Sequence, residues 1–90
     1  MEKAVITVFG NDRVGIIYNV TGILVDCNVN ILDLSQTILD GYFTMVMIVD
    51  IAGATERFEE IQRRLAAKGE ELDLNIRIQH KQIFDSMHTL

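Results

Sequence analysis

The spacing of apolar residues along this 90-residue chain switches between the two periods of regular secondary structure. From Lys3 to Phe9 apolar residues occupy both sets of alternating positions, which is typical of a central strand. From Ile16 to Cys27 they recur every three or four residues, which predicts an amphipathic helix ending at Asn28. The chain is therefore predicted to start with a strand that leads directly into a helix.

Two further extended runs follow the first helix. They cover Val29 to Leu39 and Phe43 to Ile51, and Asp40-Gly41 lies between them. Asp-Gly between two extended runs is the strongest short-range signal for a β-hairpin. Because the third run is apolar on both faces, it is predicted to be a second central strand.

The rest of the chain repeats the helix-then-strand order. Thr55 is the predicted N-cap of a second helix, and Gly69 is predicted to lie just past its end. The run Leu72 to Gln79 alternates apolar and polar residues, which predicts a strand with one solvated face. The spacing of apolar residues in the tail predicts a short helix over about residues 82–90.

The order β-α-β-β-α-β predicts an α+β fold of the ferredoxin-like class, formed by a single domain over residues 1–90. Its four-stranded antiparallel sheet carries both helices on one face, with the first and third strands in the middle. Val46 and Ile48 then point to the opposite face, together with either Val5 and Phe9 or their alternates. An apolar patch there predicts cover by the tail helix or by a second copy of the chain.

Composition excludes several classes of protein. The net charge of −5 lacks the basic footprint of a nucleic-acid-binding protein, and no apolar run approaches the length of a membrane span. The single Cys27 indicates a reducing, cytoplasmic location. With no cysteine or third histidine near them, His80 and His88 are predicted to have surface or packing roles, so neither a metal nor a cofactor is expected.

The turn Asn11-Asp12-Arg13-Val14-Gly15 is the best candidate for a binding site. A helix N-terminus has unpaired N–H groups and a partial positive charge, so it favours a carboxylate or phosphate. Gly15 has no side chain to obstruct such a ligand. The alternative interpretation is structural, with Asn11 or Asp12 capping the helix and Gly15 easing packing.

Two motifs resemble the ACT domain family across nearly the whole chain. They are Asp12-Arg13-Val14-Gly15 after the first strand and Asn28-Val29-Asn30-Ile31 at the start of the second. The tail, with Gln79-His80, Ile83-Phe84 and Met87-His88, resembles small stand-alone ACT proteins related to the glycine cleavage system repressor.

This resemblance implies a regulatory domain that binds an amino acid or a similar metabolite between two copies. In such pairs the first turn offers backbone N–H groups, and the partner contributes a side-chain amide from the start of its second strand. Many members have Pro where this chain has Val14. The candidate ligand-binding residues are Asn11, Asp12, Arg13, Val14, Gly15, Asn28 and Asn30.

The resulting hypothesis is a homodimer that senses a small metabolite, regulates an unidentified protein and has no catalytic activity. It predicts no contact with nucleic acid or membrane. For Asn28 and Asn30, simple turn formation after a helix is an equal alternative. The second strand lies at a sheet edge, so pairing with its copy would satisfy its free backbone groups.

The sequence leaves three alternative functions to consider. The domain could be a protein-interaction module that binds no small molecule and docks through its open sheet face or tail. An acylphosphatase-like enzyme could use Arg13 and Asn30, but the Gly-rich phosphate loop of that family is absent. A heavy-metal carrier of this topology needs two cysteines in its first turn, and this turn has none.

Overall fold

The computed structural model describes residues 1–88 and confirms the predicted order of elements and the ferredoxin-like fold class. The four strands form one antiparallel sheet in the order β2-β3-β1-β4, so the first and third strands lie in the middle. A third helix occupies the predicted tail, whose last two residues lie outside the described part. The elements are β1 Lys3–Asn11, α1 Ile16–Asp26, β2 Asn30–Leu39, β3 Tyr42–Asp50, α2 Phe58–Leu72, β4 Leu74–His80 and α3 Lys81–Met87.

The core lies between one face of the sheet and helices α1 and α2. Alternate residues of β1, β3 and β4 point to this face, as the period of two requires. Leu24 from α1 and Leu65 from α2 are fully buried against them. The largest side chains that are buried completely belong to Ile6, Leu24, Met45, Met47, Ile61 and Leu65.

The opposite face of the sheet is only partly covered. Of the two sets that the sequence left open, the structure places Val5 and Phe9 on this open face. The tail helix α3 contacts β1 and β4, and Val5 is only 3% exposed, whereas Phe9 remains exposed. The prediction that a short helix supplies part of the cover is therefore confirmed.

The hairpin between β2 and β3 has the predicted turn. Asp40 has φ 52° and Gly41 has φ 80°, so both central residues are in the left-handed region. Positive φ at both positions is what a type I′ turn requires, and this turn matches the twist of the flanking strands. The hairpin places Leu39 of β2 directly opposite Tyr42 of β3.

The predicted ends of the second helix were wrong. The helix starts at Phe58 after Arg57, not after Thr55, and no side-chain cap is present at its start. It runs through Gly69 to Leu72, and the C-cap residue Asp73 takes the left-handed conformation with φ 57°. An aspartate therefore occupies the position that the sequence analysis gave to glycine.

Gly69 has a packing role instead. A Cβ atom built there would lie 2.6 Å from the carbonyl oxygen of Leu74, so only glycine lets α2 approach β4 this closely. The first helix also ends earlier than predicted, at Asp26, because Asn28 takes a left-handed conformation with φ 57°. Among residues 1–88, no helix has the length and apolar character needed to cross a membrane.

Candidate functional site

The turn between β1 and α1 leaves the start of the helix uncapped. Gly15 is the N-cap residue, with φ 91° in the left-handed region, and no side chain caps the helix. The alternative in which Asn11 or Asp12 is a side-chain cap is therefore wrong. Because the first N–H groups of a helix have no intrahelical partner, the start of α1 presents unpaired donors and a partial positive charge.

Two hydrogen bonds to backbone carbonyl oxygens hold the turn in place. The N–H of Asp12 donates to the carbonyl oxygen of Gly41 at 2.8 Å, which ties the turn to the β2–β3 hairpin. The Nη1 atom of Arg13 donates to the carbonyl oxygen of Leu72 at 3.1 Å, at the end of α2. Val14 follows these two anchors and is almost fully exposed. The turn is thus fixed to two neighbouring elements while its tip faces solvent.

Gly15 and Asn19 form the base of the turn. The carbonyl oxygen of Gly15 accepts both the backbone N–H of Asn19, at 2.9 Å, and its side-chain Nδ2, at 2.8 Å. A Cβ atom at Gly15 would meet only this Nδ2, at 3.4 Å, so the positive φ, more than lack of space, favours glycine here.

Asn11 does not join the other turn residues at the helix start. It is the last residue of β1 and has the same strand parity as Val5 and Phe9, so its side chain belongs to the open face of the sheet. The helix α1 packs on the opposite face. The structure therefore groups residues 12–15 and separates the Asn11 side chain from them.

The other predicted site residues lie around a cavity of about 450 Å³ at the start of β2. Asn28 donates from Nδ2 to the carbonyl oxygen of Gly53 at 2.8 Å, so part of its side chain has a structural role. Asn30 is exposed and lies directly opposite Asp50 of β3. The cavity is lined by Val25, Asn28, Val29, Asn30, Asp50 and Gly53.

Asp50 is a member of this cavity that the sequence analysis missed. Its carboxylate accepts the backbone N–H of Ala52 at 3.0 Å and that of Glu2 at 3.2 Å. The hydrogen bond from Ala52, supported by that from Glu2, lowers the pKa of Asp50 below its ordinary value. The hairpin turn alone could not have found it, because a register shift between Ile31 and Asp33 brings Asn30, in place of Ile31, opposite Asp50.

The turn and the asparagine cavity lie at opposite ends of the sheet. Asn11 pairs with Tyr42 at one end of the β1–β3 ladder, and Lys3 pairs with Asp50 at the other. At a strand rise of about 3.3 Å per residue, these ends are roughly 26 Å apart. One chain therefore cannot place both groups of predicted residues around one small ligand.

The remaining reactive side chains have structural environments. Cys27 is fully buried, and burial raises the pKa of its thiol, although the guanidinium of Arg64 lies 3.7 Å from its sulfur. His80 stacks on Phe58 with ring centroids 4.1 Å apart. Within residues 1–88, no cluster of three or more side chains could hold a metal ion.

Comparisons with known proteins agree with the resemblance to the ACT domain family. The family model for the ACT domain matches residues 2–79. A UPF0237 protein from Listeria monocytogenes is 51% identical over 88 residues, which are 98% of this chain and 99% of that protein. An ACT domain protein from Streptococcus pneumoniae has a solved structure that superimposes with a TM-score of 0.79, at 40% identity over 92% of this chain and 93% of that one.

The fold also occurs in larger regulators. The chain aligns with 44% of a proposed glycine cleavage system transcriptional repressor, with a TM-score of 0.73 over 87% of this chain. At 24% identity this likeness shows the shared fold alone. The family match over most of the chain, together with the relative of equal length, identifies the sequence: the chain belongs to the ACT domain family.

Proposed function

We propose that this chain is a homodimeric regulatory domain that binds an amino acid or a similar small metabolite at the interface between two copies. ACT domains are a regulatory, ligand-binding fold seen in amino-acid-sensing proteins, and they often form dimers. The domain has no catalytic activity of its own and acts on a second protein. Its buried, unpaired Cys27 fits a reducing cytoplasm.

The unpaired edge of β2 is the observation that carries this proposal. Every residue of β2 except Leu34 is exposed, and β2 is an edge strand of the sheet that residues 1–88 form. Apolar side chains remain in contact with solvent along the strand, namely Ile31, Leu32, Ile38 and Leu39. Long, apolar edge strands are pairing surfaces, and pairing with a second copy would satisfy both the backbone and the side chains.

Antiparallel pairing of β2 with its copy would unite the two halves of the candidate site. Centred between Leu34 and Ser35, it brings the Asn30 end of β2 in one copy beside the Leu39 end of β2 in the other. Leu39 precedes the hairpin turn, whose Gly41 carbonyl accepts the N–H of Asp12. Asn30 of each copy then approaches the first turn of its partner, across the distance that a single chain cannot span.

The chemistry of the two halves suits an amino acid. The uncapped start of α1 favours a carboxylate group. In the opposite copy, the Asn30 side-chain oxygen can accept a hydrogen bond from an ammonium group.

A thermal-unfolding screen against the twenty amino acids tests ligand binding. A ligand at one hundred times its Kd stabilises the folded state by about 2.7 kcal/mol. For a domain of this size that raises Tm by roughly 10 °C or more. A rise with one compound identifies the ligand. No rise with any of them, from a protein that is dimeric, favours the interaction module that binds no small molecule.

Mixing two variants tests whether the site is shared between copies. Gly15→Val damages the turn, and Asn30→Ala damages the opposite half, so each variant alone should lose ligand binding. After unfolding and refolding together, random pairing should restore about one quarter of the wild-type sites, each using Asn30 from one chain and Gly15 from the other. Isothermal titration counts these sites. No restoration would contradict a shared site.

A further inference from the structure

The open face of the sheet carries an aromatic pair that the proposed ligand site does not use. Phe9 of β1 and Tyr42 of β3 are 53% and 51% exposed. Their ring centroids are 5.9 Å apart and their planes differ by only 4°. A planar molecule can therefore stack on the free face of either ring and extend the pair.

The neighbours of this pair are fixed by the register of the sheet. Phe9 lies between Thr44 of β3 and Asn75 of β4, and Tyr42 lies between Asn11 of β1 and Leu39 of β2. Cross-strand partners share a face, so two amides and one hydroxyl surround the aromatic pair.

These polar groups are free to bind a ligand. Among the described residues, the side chains of Asn11 and Asn75 make no hydrogen bond with another part of the chain. An amide both donates and accepts hydrogen bonds, so it can pair with the edge of a nitrogen heterocycle. The helix α3 contacts β1 and β4, yet both aromatic rings remain half exposed.

From these observations we infer that the Phe9–Tyr42 platform binds the planar heteroaromatic ring of a small molecule, of the nucleobase type, with Asn11 and Asn75 contacting the ring edge. Aromatic side chains on a four-stranded sheet are suited to this role, because every base has a π-face. The net charge of −5 opposes a polyanion, so the ligand is a free nucleoside or a related heterocycle, not a nucleic acid strand.

Nuclear magnetic resonance titration of the full chain with adenosine tests this inference. Adenosine should change the chemical shifts of the Phe9 and Tyr42 ring protons in the direction that aromatic stacking produces. Phe9→Leu and Tyr42→Leu should each weaken binding at least about fivefold, the effect expected when one base–aromatic stack is lost. Tyr18→Leu is the matched control, because Tyr18 is an exposed tyrosine on α1, and it should leave binding unchanged.

The remaining outcomes would overturn the inference. One is the absence of any shift up to the solubility limit of adenosine, and another is binding that both platform variants retain. A short single-stranded poly-deoxyadenosine that binds while adenosine does not would assign the platform to nucleic acid instead. Self-association that Tyr42→Leu abolishes, with no response to adenosine, would assign it to a second copy. Amide spectra of each variant test whether it is folded. The two platform variants should both weaken binding, so each serves as a check on the other.

Discussion

The two edge strands of the sheet, β2 and β4, have different surroundings. Along β4, helix α2 packs so closely that Gly69 is required beside the carbonyl oxygen of Leu74. Along β2, nine of the ten residues are exposed, and only Leu34 packs against the core. Every second residue along the first five positions of β4 is buried, whereas no residue of β2 is buried.

This difference indicates which edge is left for a partner. An exposed edge strand is a liability that proteins normally cover, shorten or charge. Here α2 buries the inner face of β4, whereas β2 is long, exposed and carries several apolar side chains. The proposal that two copies join through β2 rests on this contrast between the two edge strands, which variants on either side of the sheet can test.

Truncation of buried and exposed leucines should separate the two edges most strongly. Leu65 of α2 is fully buried, so Leu65→Ala should lower the free energy of unfolding by about 2–5 kcal/mol. Leu39→Ala on β2 should cost about 0.5 kcal/mol or less in the monomer, because Leu39 is exposed. Urea unfolding at low protein concentration measures both. Equal losses would mean that β2 is as firmly packed as the β4 side.

A pair of glycine variants tests the close approach of α2 to β4. Gly69→Ala places a Cβ atom 2.6 Å from backbone, so it should destabilise the fold by about 1–3 kcal/mol. Gly22→Ala in α1 is the control, because a Cβ atom there meets no atom within 4 Å. That change should instead stabilise the helix by about 0.5–1 kcal/mol. Thermal unfolding of the two variants should shift in opposite directions; a neutral Gly69→Ala would refute the packing role.

Acid should weaken the helix that covers β4. Hydrogen bonds from Arg63 and then Arg64 lower the pKa of Glu60 from 4.5 to about 2. Because the folded-state pKa is depressed, the stabilisation is present above pH 4.5 and is lost as the pH falls toward about 2. Glu60→Gln should flatten this part of the stability curve. An unchanged acid dependence in Glu60→Gln, measured by urea unfolding, would mean that the ion pairs on α2 are too exposed to contribute.

The fold could be predicted because its local signals agree with one another. Alternation in β1 and β3 identified the central strands, and Asp40-Gly41 identified the hairpin. The ends of α2 could not be predicted from local rules, since Gly69 serves a tertiary contact and Asp73 takes the left-handed cap. Tertiary packing overrode the usual meaning of glycine as a helix terminator.

The candidate site was less accessible to sequence reasoning. Residue types at the turn indicated an anion site but left open whether Asn11 or Asp12 caps the helix. Nothing local showed that Arg13 reaches the carbonyl oxygen of Leu72. Asp50 could be recognised only through its register with Asn30. The separation between the turn and Asn30 is a property of the whole sheet, and it is this separation that makes a second copy necessary for a shared site.

The most direct test of the central claim is the molar mass in solution, measured by light scattering after gel filtration. The wild type should have twice the 10.2 kDa mass of one chain. Ile38→Lys charges the β2 edge and should yield the monomer, whereas Ile83→Lys on α3 should remain a dimer. The two isoleucines are matched, being 58% and 51% exposed. A monomeric wild type, or a dimer that Ile38→Lys leaves intact, would contradict pairing through β2.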